Sequence, residues 1–228
     1  MKKTFVKTGT VKDFISAMDR LKNARPGIPK MCLIHGIYGV GRTETALWWA
    51  AQHDDCKLIR LVSLIEAPWL LSTIISEMGQ VPERPKDKRF SQLINILMDR
   101  QDTLIFDEID YITSDRKAIE MLRDIHDITG TIIVFIGMED AERKLNRYPH
   151  LNDRVMERIK FDKLSKEDVH TAVTELCEVK LTDDAMSLIH SEANRFRPLL
   201  GKIYRAEAIA RANGLKEISA ADLRAVKK

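Results

Sequence analysis

The chain has 228 residues, 44% of them hydrophobic and 31% charged, with a formal net charge of +3. That composition is globular: it excludes a disordered or fibrous chain, and the length fits one domain with room for a small appendage. No run approaches the roughly 20 uninterrupted apolar residues of a membrane-spanning helix. The opening MKKTFVKTGT lacks the apolar centre of a secretory signal, so a cytoplasmic location and no membrane partner are expected. Cys32, Cys56 and Cys177 have no metal-ligand or redox spacing and read as buried thiols.

In chain order, Thr10 opens an amphipathic helix with Val11, Phe14, Ile15, Met18 and Leu21 on one face. Thr10 and Asp13 have the spacing of an N-cap and its third helical residue. Arg25-Pro26-Gly27-Ile28-Pro29 breaks that helix, and residues 30–35 predict a short buried strand. A helix carrying Ala46, Leu47, Trp49 and Ala50 follows Gly41. A second strand is expected over 57–63, and a helix over 68–78 with Pro68 in its first turn. Residues 81–89 read as a polar, proline-marked loop, and a helical pattern resumes over 91–99. Residues 103–107 predict a third strand, 114–129 a helix with Ile119, Leu122, Ile125 and Ile128 as its stripe, and 131–137 a fourth strand. Strands alternating with helices imply an α/β fold, a parallel sheet flanked by crossover helices.

After about residue 162 the strand pattern fades, and helices are expected from Ser165, Thr182, Pro198 and Ser219. The expected organisation is therefore an N-terminal helix and linker packed on the core (1–29), an α/β core (30–162) and a small C-terminal helical lid (163–228). Trp48, Trp49 and Trp69 read as core or subunit-contact residues.

Gly36-Ile37-Tyr38-Gly39-Val40-Gly41-Arg42-Thr43 has the spacing of a phosphate-binding P-loop, with arginine where lysine is usual. Glycines let backbone N–H groups approach phosphate closely, and a helix starting at Arg42, Thr43 and Glu44 turns its positive end toward it. Gly36, Gly39, Val40, Gly41, Arg42, Thr43 and Glu44 are thus the candidate residues for binding a nucleoside triphosphate, with the Thr43 hydroxyl suited to Mg²⁺. About 65 residues later, the apolar run 103–106 ends in Asp107-Glu108. Asp107 suits a hold on Mg²⁺ through water, and Glu108 suits a base that orients or deprotonates the attacking water.

With these motifs the chain resembles the AAA+ ATPases over about residues 10–215. It is most similar to the branch holding transposition protein B of Mu-like phages and the TnsC/TniB transposition ATPases. The resemblance rests on HGIYGVGRTETALWWAA, TLIFDEIDYI, TIIVFIGMED and LNDRVMERIKFDKLSKEDV. It implies a P-loop AAA+ core with a helical lid, ATP bound at the interfaces of a homo-oligomer or filament, non-specific duplex DNA as a partner, and a transposase recruited or activated by the assembly. It also implies an arginine from the neighbouring subunit, for which Arg154 is the first candidate, Arg147 the second and Arg158 the third. For the lid arginine that reaches the nucleotide of its own subunit, Arg197 is the better match and Arg195 the alternative.

The chain departs from the family at the end of its fourth strand. A polar side chain is common there, whereas this chain has Gly137-Met138-Glu139-Asp140. With Arg42 in the loop, the expectation is firm ATP binding and slow hydrolysis, set against ordinary turnover and against a site kept for structure. DNA contacts are sought in the basic loop at Lys86, Lys88 and Arg89, beside Arg84, and in Thr113, Arg116 and Lys117; the alternative is a solvated surface. Two other functions share the motifs: a loader or remodeller of another protein, such as a helicase loader or secretion ATPase, and a nucleotide-sensing switch without a DNA role.

Overall fold

The computed structural model describes residues 1–63 and 66–225. They divide into two compact units. Residues 13–36 and 42–161 make an α/β unit, and residues 1–12, 37–41 and those from Asp162 onward make a smaller, mostly helical one.

The chain enters through α1 (Gly9–Lys22), which begins in the smaller unit and continues into the α/β unit. The α/β unit then runs β1 (Met31–Gly36), α2 (Arg42–Ala50), β2 (Cys56–Arg60), α3 (Ala67–Glu77), α4 (Lys86–Arg100) and β3 (Thr103–Asp107). A 3₁₀ turn over Ile109–Tyr111 leads to α5 (Arg116–Thr129), β4 (Ile133–Met138), α6 (Ala141–Leu145), α7 (Pro149–Asn152) and β5 (Val155–Phe161). The five strands form one parallel sheet in the order β2-β3-β4-β1-β5. Both faces are covered, as a parallel sheet requires. Met31, Leu33, Leu104, Phe106, Ile133 and Phe135 point into the core formed with α3, α4 and α5. Their alternates Cys32, Ile34, Ile105, Val134 and Ile136 are also buried. Phe14 of α1 and Trp49 of α2 meet edge-on at 6.1 Å.

The smaller unit holds α8 (Lys166–Leu176), β6 (Lys180–Leu181), α9 (Asp183–Glu192), α10 (Phe196–Asn213), β7 (Glu217–Ile218) and α11 (Ala220–Ala225). Val6, Val173, Leu176, Ile189, Leu199 and Ile203 belong to its apolar core. Ser165 and Asp168 form a reciprocal capping box at the start of α8. The strand signal does not end at residue 162: β6 and β7 pair in parallel.

Several elements differ from their sequence-based expectation for local reasons. Helix α1 starts at Gly9, because the Gly9 N–H donates to Asp168 Oδ1 at 2.8 Å and the Lys12 N–H to the Thr8 carbonyl. Thr10 is therefore inside the helix. Helix α4 absorbs half of the supposed 81–89 loop, starting directly after Pro85, whose extended backbone forms its N-cap. Strand β2 stops at Arg60. Ile128 is 51% exposed and lies off the buried stripe of α5. Trp49 is core, whereas Trp69 is 71% exposed. The three cysteines are buried, and burial pushes the Cys56 thiol up to about 12. Among the described residues, no helix is long and apolar enough to cross a membrane.

His126 ties α5 to the amino-terminal end of the sheet. Its Nδ1 faces the Thr131 carbonyl at 2.8 Å, and Nε2 accepts the Lys30 N–H at 3.3 Å. Only the neutral ring with the proton on Nδ1 satisfies both. Burial, opposed by the Thr131 hydrogen bond, holds its pKa below the ordinary 6.5. The folded protein thus binds this proton less readily than the unfolded chain. The His126 contribution is fully present above pH 6.5 and is lost as pH falls from there through the depressed folded value. Melting curves from pH 7.5 to pH 5 should show it, with a slope of at most about 1.4 kcal/mol per pH unit. A His126→Asn protein should be less stable at pH 7.5 by about 1–3 kcal/mol and should lose that slope. An unchanged slope would assign the acid sensitivity elsewhere.

Candidate nucleotide site

Gly36 closes β1 between β4 and β5, opposite Met138 and Phe161. A Cβ on Gly36 would lie 2.0 Å from the Phe161 carbonyl oxygen, at a φ of +152°. Only glycine permits this approach. Gly39 and Gly41 adopt left-handed backbone at φ +75° and +97°, which glycine reaches without steric cost. The chain then enters α2, so Arg42, Thr43 and Glu44 form the first helical turn.

Within the α/β unit, Thr43 Oγ1 donates to Asp107 Oδ1 at 3.3 Å, and the Glu108 N–H donates to the same oxygen at 3.0 Å. Asp107 is 1% exposed, and its Oδ2 is buried with no hydrogen-bond partner among the described residues. A buried carboxylate oxygen without a partner calls for an occupant. Beside a threonine hydroxyl, that donor set fits Mg²⁺, which takes one or two protein oxygens together with water and phosphate. Among the described residues, no cluster of three or more His, Cys, Asp or Glu could hold a metal by itself.

Glu108 follows in left-handed backbone, φ 60° and ψ 44°. A non-glycine residue there costs about 1–3 kcal/mol, a strain that concentrates at functional positions. The Arg42 guanidinium donates to the Gly36 carbonyl and, through Nη2, to Met138 Sδ at 3.3 Å. Burial draws its pKa down, opposed by the carboxylates of Glu108, Asp107 and Asp110. Asp110, which the sequence marks only as an extension of the Asp107-Glu108 pattern, organises this edge of the sheet. Its Oδ2 accepts the Met138 N–H at 2.6 Å, and its Oδ1 accepts from Lys144 Nζ at 2.8 Å. The signal for it was a third acidic residue three positions after Asp107.

In the smaller unit, residues 37–41 pack against the start of α10. The Arg197 N–H donates to the Gly39 carbonyl at 3.0 Å, and Arg197 Cβ lies 3.4 Å from where a Gly39 Cβ would stand. The Arg195 guanidinium lies over the Tyr38 ring at 4.4 Å. Both lid-arginine candidates thus meet the loop, Arg197 through its backbone and Arg195 through a cation–π contact. Val40 is buried.

The arginines expected to act between subunits differ in what they already hold. Arg154 forks onto Asp127, Nε to Oδ1 at 2.9 Å and Nη2 to Oδ2 at 2.8 Å, and donates to the His150 carbonyl at 2.6 Å. It lines a cleft of about 930 Å³ at the amino ends of the strands, away from Asp107. Arg158 donates to the Val155 carbonyl and to Asn152. Arg147, between α6 and α7, is exposed.

The DNA candidates separate in the same way. Arg89 is half-buried and donates to the Pro68 carbonyl, Ser72 Oγ and the Arg84 carbonyl, which staples α4 to α3. Thr113 is 7% exposed and donates to the Asp110 carbonyl. Lys88 and Lys117 are exposed, and the Arg116 side chain is 82% exposed with Glu120 at 3.7 Å. The side chain of Lys86 lies outside the described residues.

The profile of the AAA domain matches residues 28–145, just over half of the chain. A "Potential ATP-binding protein" of Staphylococcus aureus is 42% identical over 69 residues, which are 30% of this chain and 25% of that protein. The chain therefore matches only a quarter of that relative's length. Among solved structures, the ORC2 protein of Aeropyrum pernix superposes with a TM-score of 0.71 at 16% identity, over 98% of this chain and 68% of that one. The Aeropyrum pernix ORC1 protein in complex with DNA gives a TM-score of 0.61 at 14% identity, over 98% and 65%. The Thermotoga maritima RuvB Holliday junction branch migration motor gives 0.62 at 18% identity, over 97% and 68%. At these identities the structural likeness concerns the fold. On the profile match, together with the P-loop and the Asp107-Glu108 strand end, this chain belongs to the AAA-domain family.

Proposed function

We propose that the chain binds ATP with Mg²⁺, hydrolyses it slowly, and acts as an ATP-dependent regulator assembled on duplex DNA. The observation that carries the nucleotide reading is the Thr43–Asp107 pair, with the second Asp107 oxygen buried and unoccupied by any hydrogen bond among the described residues. Thr43 and Asp107 would hold the metal, and Mg²⁺ when bound neutralises charge on the phosphates. Loop amides and the first turn of α2 bind phosphate, and Glu108 takes the proton of the attacking water. Slow turnover follows from Met138, whose thioether cannot orient that water as a hydroxyl or amide would. Of the three interface candidates, Arg154 is forked onto Asp127 and Arg158 is held by the Val155 carbonyl and Asn152, so the exposed Arg147 takes the trans role in this reading.

The DNA part draws on the AAA domain, on the ORC1 neighbour solved with DNA, and on the exposed Lys88, Arg116 and Lys117. The transposase part draws on the resemblance to the transposition ATPases. ATP would favour the DNA-bound oligomer and hydrolysis would dissolve it, so the bound state is the working state.

The test is binding to a duplex of arbitrary sequence with ATP, ADP or no nucleotide, read by electron microscopy and by anisotropy. ATP-dependent oligomers whose affinity falls steeply with salt are expected. Arg42→Ala should lose the ATP dependence. Monomers under all conditions would favour the nucleotide-sensing switch, and ATP-dependent oligomers indifferent to DNA would favour the remodeller of another protein.

A further inference from the structure

Arg42 and Met138 meet from positions 96 residues apart, the guanidinium Nη2–H donating to the thioether sulfur at 3.3 Å. Another guanidinium nitrogen donates to the Gly36 carbonyl. Met138 is the last residue of β4 and stands in register with Gly36 of β1. Its backbone is fixed from three sides. Its N–H is held by Asp110 Oδ2 at 2.6 Å, and Asp110 is held by Lys144 at 2.8 Å, which also reaches Asp140 at 3.1 Å. The preceding Gly137 is packed so closely that a Cβ would lie 2.4 Å from Ala141 Cβ and 2.8 Å from Ile109 Cγ2. The sulfur is therefore presented to Arg42 by a rigid strand end.

A thioether is a weak acceptor. A phosphate oxygen is charged, and a guanidinium can bind it through two parallel N–H bonds. An amide or carboxylate at position 138 would compete with phosphate for Arg42. A thioether fills the same space, orients the guanidinium and releases it readily.

We propose that Met138 is a positioning residue that sets nucleotide affinity through Arg42, as the resting acceptor that the guanidinium leaves when phosphate arrives. The two departures from the usual pattern, arginine in the loop and methionine at the strand end, are then one device. This rests on reading the loop as an ATP site.

The experiment is a titration with a fluorescent ATP analogue and Mg²⁺ on five variants beside the wild type. Met138→Gln and Met138→Leu are made alone and in the Arg42→Lys background, with Arg42→Lys alone as the reference for that background and melting curves to show that each is folded. With Arg42 present, Met138→Gln should weaken binding about tenfold, because the amide retains the guanidinium. Met138→Leu keeps the volume, removes the acceptor and should tighten binding about two- to fivefold. In the Arg42→Lys background both changes should shrink to about twofold or less, since the compact ammonium has a shorter reach and no planar fork and does not make the same contact. A purely structural role for Met138 would move affinity equally in both backgrounds, and that result overturns the proposal. So does an unchanged affinity of both Met138 variants in a wild-type background that binds nucleotide. A wild-type protein that binds no nucleotide overturns the ATP-site reading itself, and the device with it.

Discussion

Glu108→Gln is expected to lower ATP turnover by about two to four orders of magnitude while leaving nucleotide binding in place. The hydrogen bond made by Glu108 at the site is through its backbone N–H, to Asp107 Oδ1 at 3.0 Å, and its left-handed backbone is a property of the chain. Glutamine preserves both and removes only the group that can take a proton from water. The substituted protein should melt within a few degrees of the wild type and should stay longer on DNA with ATP. Turnover retained within a few-fold would remove Glu108 from the role of base.

The same variant tests which arginine acts between subunits. Arg147→Ala keeps its own Glu108 but gives nothing to its neighbour. Glu108→Gln has an inert site but donates Arg147. Mixing the two inactive proteins should restore part of the activity, at interfaces where an intact Glu108 meets an intact Arg147. The same mixture made with Arg154→Ala should behave differently. Arg154→Ala is expected to hydrolyse ATP on its own, because its guanidinium is already committed to Asp127 and the His150 carbonyl. An inactive Arg154→Ala that is rescued by mixing would return the role to Arg154.

Gly36→Ala carries the largest expected effect on stability. Its Cβ would stand 2.0 Å from the Phe161 oxygen and 2.9 Å from the Phe161 carbonyl carbon. These are backbone atoms of a paired neighbouring strand, so no side chain can swing aside. Either β1 and β5 separate or the start of the P-loop moves. A loss above about 4 kcal/mol is expected, enough to unfold a domain of ordinary stability. Gly27→Ala is the control. Gly27 also has positive φ, +86°, but nothing lies within 4 Å of its Cβ position, so only backbone strain of about 1 kcal/mol or slightly more should appear. Equal, small losses in both variants would show that the approach of β5 to Gly36 is looser than its geometry indicates.

Local chemistry explains what could be read before the fold was in view. The strand over 103–107 and the loop over 36–43 are short, contiguous patterns that residue type and local spacing mark directly. Helix α4 was harder. Pro85 reads as part of a loop, yet it is the cap, and the Arg89 guanidinium fixes the first turn onto Pro68 and Ser72. Those partners lie 21 and 17 residues away, beyond any periodicity. Trp69 shows the same limit: an apolar residue in a helical pattern reads as core or as subunit contact, and only its place on the helix, which leaves it 71% exposed, removes the first of the two.

The sequence by itself determined the chemical repertoire: a glycine-spaced loop, a hydroxyl and a carboxylate suited to a divalent cation, a carboxylate suited to a base, and a surplus of arginines. Each of these depends on residue type and short spacing, which a sequence states directly. Only the tertiary structure decided how the repertoire is deployed. It committed Arg154 to Asp127, left Arg147 exposed, buried Thr113, and joined Arg42 to Met138. A charged or polar side chain takes whichever partner packing brings within about 3 Å. For Arg42 that partner lies 96 residues away, and the parallel pairing of β1 with β4 is what brings it there.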